Sequence, residues 1–183
     1  MKIPQELLEA CIKQERAAQN QLYKEVFSYL MNICMRYKND YDTAGASLNA
    51  IYLKVLTNLE KFEQKDSFIG WMKRIAVNHL IDEYRKEKRH KQNLSYTDQD
   101  HWDSKQSTFH EGEADLESQY LLKMIQKLPE ASAQVFNLYA IDGYKHREIA
   151  ELLSMSENTS KWHLREARIK LKAMLEVYNE NIK

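Results

Sequence analysis

Glycine and proline are scarce, four and two among 183 residues. So few turn formers exclude a chain of many short strands, which needs frequent breakers. Only two cysteines occur, Cys11 and Cys34, both inside helical patterns. That number does not make a disulfide framework. Buried free thiols in a reducing compartment are the expected reading, with a single pairing as the alternative. No run of about 18 apolar residues exists, so no membrane-spanning helix is expected. The first residues, MKIPQELLEA, lack a basic start followed by an apolar core, so no secretory signal is expected either. Cys-x-x-Cys, a glycine-rich phosphate loop and a serine nucleophile elbow are all missing. The formal net charge is zero, which removes any global electrostatic pull toward nucleic acid but leaves local surfaces open.

What is present is helix-forming and charged. Hydrophobic residues make up 43% and charged residues 30% of the chain, the balance of a soluble folded protein. Long segments rich in Leu, Glu, Lys, Gln and Ala imply an all-α fold. The charge is segregated along the chain. Arg85 to Lys91 carries five Lys and Arg against Glu87. Ser95 to Ser118 carries seven acids against Lys105. Lys161 to Lys172 again carries five cations against Glu166. A basic, acidic, basic order implies two positive surfaces joined by a negative connector.

The apolar pattern divides the chain in the same way. From Gln5 to Tyr37 two stripes recur at helical spacing: Leu7, Leu8, Cys11 and Ile12, then Leu22, Val26, Tyr29, Leu30, Ile33 and Tyr37. Asn39 to Gly45 is polar and reads as a turn. Leu48, Ile51, Tyr52, Val55, Leu56 and Leu59 mark the next helix, ended by a polar break at Glu63 to Asp66. Phe68 to about Arg89 is a long helical segment. Periodicity then vanishes until about Ala114, so 92–114 reads as an acidic flexible linker between domains at 1–91 and 115–183. Beyond it, Leu121, Leu122, Ile125 and Leu128 line a helix that Pro129 ends. Val135, Phe136, Leu138 and Tyr139 line another, stopped at Asp142-Gly143.

The last two helices, about Lys145 to Leu153 and Glu157 to Leu175, flank the connector Ser154-Met155-Ser156. Ser156 suits an N-cap, and the small Ala150 suits a close helix approach. Helix, short turn, helix is the form of a helix-turn-helix reader. In the second helix, Ser160, Leu164, Ala167 and Leu171 fall on an inner stripe. Lys161, Arg165, Arg168 and Lys172 repeat that spacing about 100° around. A helix packed by the first stripe presents the second as a row of cations. Such a row can meet phosphates or be an ordinary solvated face.

These segments resemble a known family. Lys127 to Lys172, KLPEASAQVFNLYAIDGYKHREIAELLSMSENTSKWHLREARIKLK, resembles region four of the extracytoplasmic-function sigma factors. Phe68 to Arg89, FIGWMKRIAVNHLIDEYRKEKR, resembles their region two. The resemblance implies two small helical domains on a tether and a transcription initiation factor, not an enzyme. Its partners would be RNA polymerase core, through the largest subunit's clamp helices and the flap, promoter DNA, and an anti-sigma protein. It implies no cofactor and no metal. The location it implies is cytoplasmic, with an anti-sigma protein able to hold the chain at the inner membrane face.

The resemblance assigns roles by position. Arg74, Asn78, Asp82, Arg85, Lys86 and Arg89, with Lys88, would capture the minus-ten strand. The first four also share one helix face by spacing. Asp82 has an equal structural reading, an intrahelical pair with Arg85 or Lys86. Trp71 could stack on a base, but its position near Phe68 and Ile75 favours the core. Lys161, Trp162, His163, Arg165 and Arg168, with Arg147 on the preceding helix, would meet the minus-thirty-five element. Trp162 stands where the family has a small residue. Leu48, Asn49 and Tyr52 would bind polymerase core. There the family's acidic pattern is reduced to Asp42-Thr43-Ala44-Gly45-Ala46-Ser47-Leu48-Asn49.

Two other classes fit parts of the chain. A helix-turn-helix repressor or activator explains the C-terminal motif but not Phe68 to Arg89. A helical metal enzyme would use Glu87 and His90, or His79 and Glu83. Glu-x-x-His occurs once, and two ligands alone make a weak site.

Overall fold

The computed structural model describes residues 3–63, 67–94 and 116–181. All regular structure among them is helical. The chain divides into two units, Met1–Thr108 and Phe109–Lys183. The expected linker, from residue 95 onward, lies outside the described residues, as does the Glu63-to-Asp66 break from residue 64.

In the first unit, α1 (Gln5–Ile12) and α2 (Arg16–Tyr37) split what periodicity left as one helical stretch. The break falls at Gln14, whose φ of 62° is left-handed and cannot continue a right-handed helix. Then comes α3 (Tyr41–Thr57). The expected turn at Asn39 to Gly45 is therefore wrong for most of its length. Asp40 caps the helix, its carboxylate accepting from the Thr43 N–H and the Thr43 hydroxyl, each at 2.8 Å. That satisfies an orphan donor and starts the helix four residues before Gly45. A short 3-10 turn (Leu59–Lys61) leads on to α4 (Phe68–Leu94).

The core of this unit is Leu22, Val26 and Leu30 from α2, Leu48, Ile51 and Val55 from α3, and Met72, Ala76, Leu80 and Ile81 from α4, each at most 1% exposed. Each full burial of a large aliphatic side chain contributes about 1.5–3 kcal/mol before ordering costs. Trp71 is half-buried against Phe62 and Phe68, with ring centroids 5.4 and 5.8 Å away, so its packing role holds. Cys11 and Cys34 are buried and unpaired. Burial, then Glu83, pushes the Cys34 thiol up to about 12.

The second unit begins with α5 (Leu116–Gln126) and α6 (Glu130–Phe136), Pro129 standing just before α6. The helix does not simply run on to Tyr139. It widens into a π turn (Asn137–Ile141). The turn closes where the Asp142 N–H donates to the Asn137 carbonyl at 2.9 Å, and Gly143 at φ +82° ends it. Next are α7 (His146–Leu153) and α8 (Glu157–Asn181), the latter longer than its apolar pattern implied. Met124 and Ile125 of α5 and Leu128 just beyond it pack with Ala167 and Leu171 of α8. Ile149 and Leu153 of α7 are buried as well.

Candidate nucleic-acid interface

The joint between α7 and α8 is built from three residues. Ser154 takes a left-handed φ of 52° and stops α7. The Met155 N–H donates to the Ala150 carbonyl at 3.0 Å. Ser156 caps α8 by accepting from the Thr159 N–H at 3.0 Å. At the start of α7, the Lys145 N–H donates to the Glu148 carboxylate at 2.7 Å. These bonds satisfy helix-end groups that a sharp turn would otherwise leave bare.

The inner stripe of α8 is buried as its spacing requires: Ser160, Leu164, Ala167 and Leu171 are at most 5% exposed. With that face fixed, Lys161, Arg165, Arg168 and Lys172 are carried outward, and all four are exposed. Trp162 beside them is 56% exposed, a large aromatic with no core role. Arg147 on α7 is exposed and lies 3.6 Å from Glu151. His163 is placed differently from the others. Its Nδ1 is 3.0 Å from the hydroxyl of Ser132 on α6, so the ring is held toward the domain and not with the outward row.

On α4 the buried line Phe68, Met72, Ala76, Leu80, Ile81 and Tyr84 leaves the opposite side to Arg74, Asn78 and Asp82, all exposed, with Arg85 half-buried. Lys86, Lys88 and Arg89 continue in solvent. The Arg89 guanidinium donates to the Arg85 carbonyl at 3.2 Å. The proposed intrahelical pair of Asp82 does not form: among the described residues it makes no ion pair with Arg85 or Lys86. Its carboxylate instead belongs to the outward polar stripe.

Behind this stripe lies a polar network the sequence did not show. Lys38, at the end of α2, places its ammonium 3.2 Å from Glu83 and 2.8 Å from Glu87. Glu83 also accepts from the Ser47 hydroxyl at 2.7 Å. His79 Nε2 lies 3.3 Å from the other Glu83 oxygen without hydrogen-bond geometry. Burial alone would raise the Glu83 carboxyl. Ser47 and Lys38 outweigh it and hold Glu83 below its ordinary range. Burial likewise works against the Lys38 ammonium, but the bonds to Glu87 and Glu83 hold it above. His79 is pushed down, chiefly by burial. The network ties α2 and α3 to α4 and accounts for both carboxylates of the candidate metal pairs. Among the described residues no cluster of three or more metal-ligating side chains occurs.

The three residues assigned to polymerase binding part company. Leu48 is fully buried, so it supports α3 from inside and offers nothing to a partner's surface. This corrects its place in that set. Asn49 is exposed and accepts from the Tyr23 hydroxyl at 3.0 Å. Tyr52 is half-buried, edge-on to Tyr23 at 5.0 Å, and its hydroxyl donates to the Gln19 carbonyl.

Two family models match the chain: Sigma-70 region 2 over residues 22–90 and Sigma-70 region 4 over residues 118–171. Each falls on one of the two helical units, in the order already described. The chain belongs to the sigma-70 family. It is a transcription initiation sigma factor of the extracytoplasmic-function type. The sigma factor is 25% identical over 160 residues to the RNA polymerase sigma factor YlaC of Bacillus subtilis, covering 82% of this chain and 88% of that protein. It is 27% identical over 139 residues to SigZ of the same organism, covering 75% and 76%. Among solved structures it resembles the sigma factor RpoE of Bartonella quintana, solved in complex with the anti-sigma factor NepR. That match has a TM-score of 0.55 and 19% identity, over 86% of this chain and 96% of that one. The family implies RNA polymerase and promoter DNA as partners, and its members are initiation factors, not catalysts. No described helix of the sigma factor is long and apolar enough to cross a membrane.

Proposed function

We propose that the two units divide promoter recognition between them, with the stretch beyond α4, up to 114, as the tether. The second unit docks α8 in the major groove of the minus-thirty-five duplex. Lys161, Arg165 and Arg168 meet phosphates and base edges, Trp162 lies against the groove wall, and Arg147 holds a phosphate from α7. The first unit sits on polymerase core through the surface around Asn49 and Tyr52. Its α4 stripe, Arg74, Asn78, Asp82 and Arg85 with Lys86, Lys88 and Arg89, captures the unpaired minus-ten strand. Extruding a base costs a few kcal/mol, which binding to the stripe offsets. Holding both elements through one tether raises the effective concentration of each. An anti-sigma protein, the kind of partner seen with RpoE, completes the set of expected partners.

The observation that carries this reading is the exposed cation row of α8, set beside a stripe that is at most 5% exposed. Footprinting with polymerase core tests it. Arg165→Ala weakens minus-thirty-five protection and flattens the dependence of log affinity on log salt by about 0.9. A loss that is the same at every salt concentration contradicts phosphate contact at Arg165.

A further inference from the structure

Side chains from three elements meet at the root of the α8 cation row. The ring of His146, at the start of α7, stacks on Tyr139 of the π turn, with centroids 4.5 Å apart and planes at 24°. Its Nδ1 lies 2.9 Å from the hydroxyl of Ser160, a residue of α8 that is fully buried. The Arg168 guanidinium sits 5.8 Å from the centroid of the same Tyr139 ring, within cation–π range. His146 therefore touches the side chain of Ser160, the α8 residue next to Lys161. Through Tyr139 it also bears on Arg168, two turns further along.

The charges around the ring are unequal. From α8, Lys161 and Arg168 oppose a proton on His146 and Glu157 favours one. The π turn contributes the neutral Tyr139. On α7, Arg147 is engaged with Glu151. Burial first, and then Lys161, hold the imidazole below the ordinary histidine range. Lys161 and Arg168 are also the side chains that phosphates would neutralise. A docked duplex cancels the positive field that adds to burial in opposing a proton on the imidazole.

We propose that His146 is a positioning residue of the duplex-reading face and takes up a proton when the duplex docks. The inference rests on the reading of α8 as the duplex reader. By linkage, a group that is easier to protonate in the complex makes binding tighter as pH falls. His146 is the sensor because its ring stacks on Tyr139, which also lies under Arg168, and Lys161 and Arg168 both act on it; His163 is turned toward Ser132 of α6.

The test is anisotropy of a labelled mixed-sequence duplex titrated with the full chain between about pH 8.5 and about pH 5.5. Wild-type affinity rises about three- to tenfold across that range. His146→Gln loses that rise, while His163→Gln keeps it. A merely structural defect would instead weaken binding by the same factor at every pH. Independently of any variant, nuclear magnetic resonance titration of His146 in the wild-type chain shows its pKa rising when the duplex is added. An unchanged pKa, or a full pH response in His146→Gln, overturns the inference while leaving duplex binding intact. Absence of duplex binding at every pH overturns both the inference and the reading beneath it.

Discussion

Replacing Lys38 with Met should loosen the C-terminal half of α4, which carries the stripe proposed to capture the minus-ten strand. Lys38 is 13% exposed and faces Glu83, 28% exposed, and Glu87, 51% exposed. Removing one partner of a fully buried pair costs about 3–5 kcal/mol, because the other charge is left stranded. Glu87 is half in water and loses little, as exposed pairs contribute about 0–1 kcal/mol. Glu83 keeps its bond from Ser47. The expected cost is therefore about 2 kcal/mol, intermediate between the two cases. The pH dependence supplies a second check. Glu83 is held below its ordinary range, so its contribution is present above the unfolded carboxyl pKa and is lost as pH falls through the folded one. Lys38 is held above its ordinary range, so its contribution is present below the unfolded pKa and is lost as pH rises through the folded one. Lys38→Met flattens both ends of the stability profile. The assay is urea unfolding followed by Trp71 fluorescence, with Trp102 and Trp162 changed to Phe so that only the first unit reports. With a slope of about 1 kcal/mol per molar for a unit this size, the midpoint falls by about 2 M. Adding Glu83→Gln and Glu87→Gln recovers most of the loss, since the stranded charges are gone. A midpoint shift below about 0.5 M at neutral pH would mean that solvent already screens the pair and that the network does not hold α4.

Asn78→Ala should spare association with polymerase core yet reduce strand opening at a promoter, read by permanganate reactivity; unchanged opening removes Asn78 from the strand-capturing stripe. Gly143→Ala should cost about 1–2 kcal/mol in the second unit, because its φ of +82° strains any side-chain-bearing residue. Unfolding followed by Trp162 fluorescence measures that loss, and since the space around Gly143 is open, only backbone strain is being tested. Cys34 should resist a thiol-exchange reagent at mildly alkaline pH until the first unit unfolds, because burial keeps its thiol protonated up to about 12. Rapid labelling in the native state would mean that α2 opens locally.

Most of the helices were determined by the sequence alone, and so was the buried line of most of them, although Ile12 and Leu121, read as part of apolar stripes, are exposed at 38% and 43%. The spacing of Ser160, Leu164, Ala167 and Leu171 makes one buried line, which forces Lys161, Arg165 and Arg168 outward. This is a property of helical geometry and needs no knowledge of the partner surface. The start of α3 was misplaced because a run of short polar residues looks like a turn until the Asp40 carboxylate is seen to cap the helix. Leu48 was assigned to a contact surface by its place in a motif, and only packing against α2 and α4 decides that it points inward. Lys38 with Glu83, Ser132 with His163, and His146 with Tyr139 and Ser160 were invisible for one reason. Each joins residues on different helices, and no local periodicity records which helices become neighbours. The chain's own order of residues thus determined which surfaces are positive. Tertiary structure decided which side chains hold those surfaces in place, because that depends on distances set by packing and not by separation along the chain.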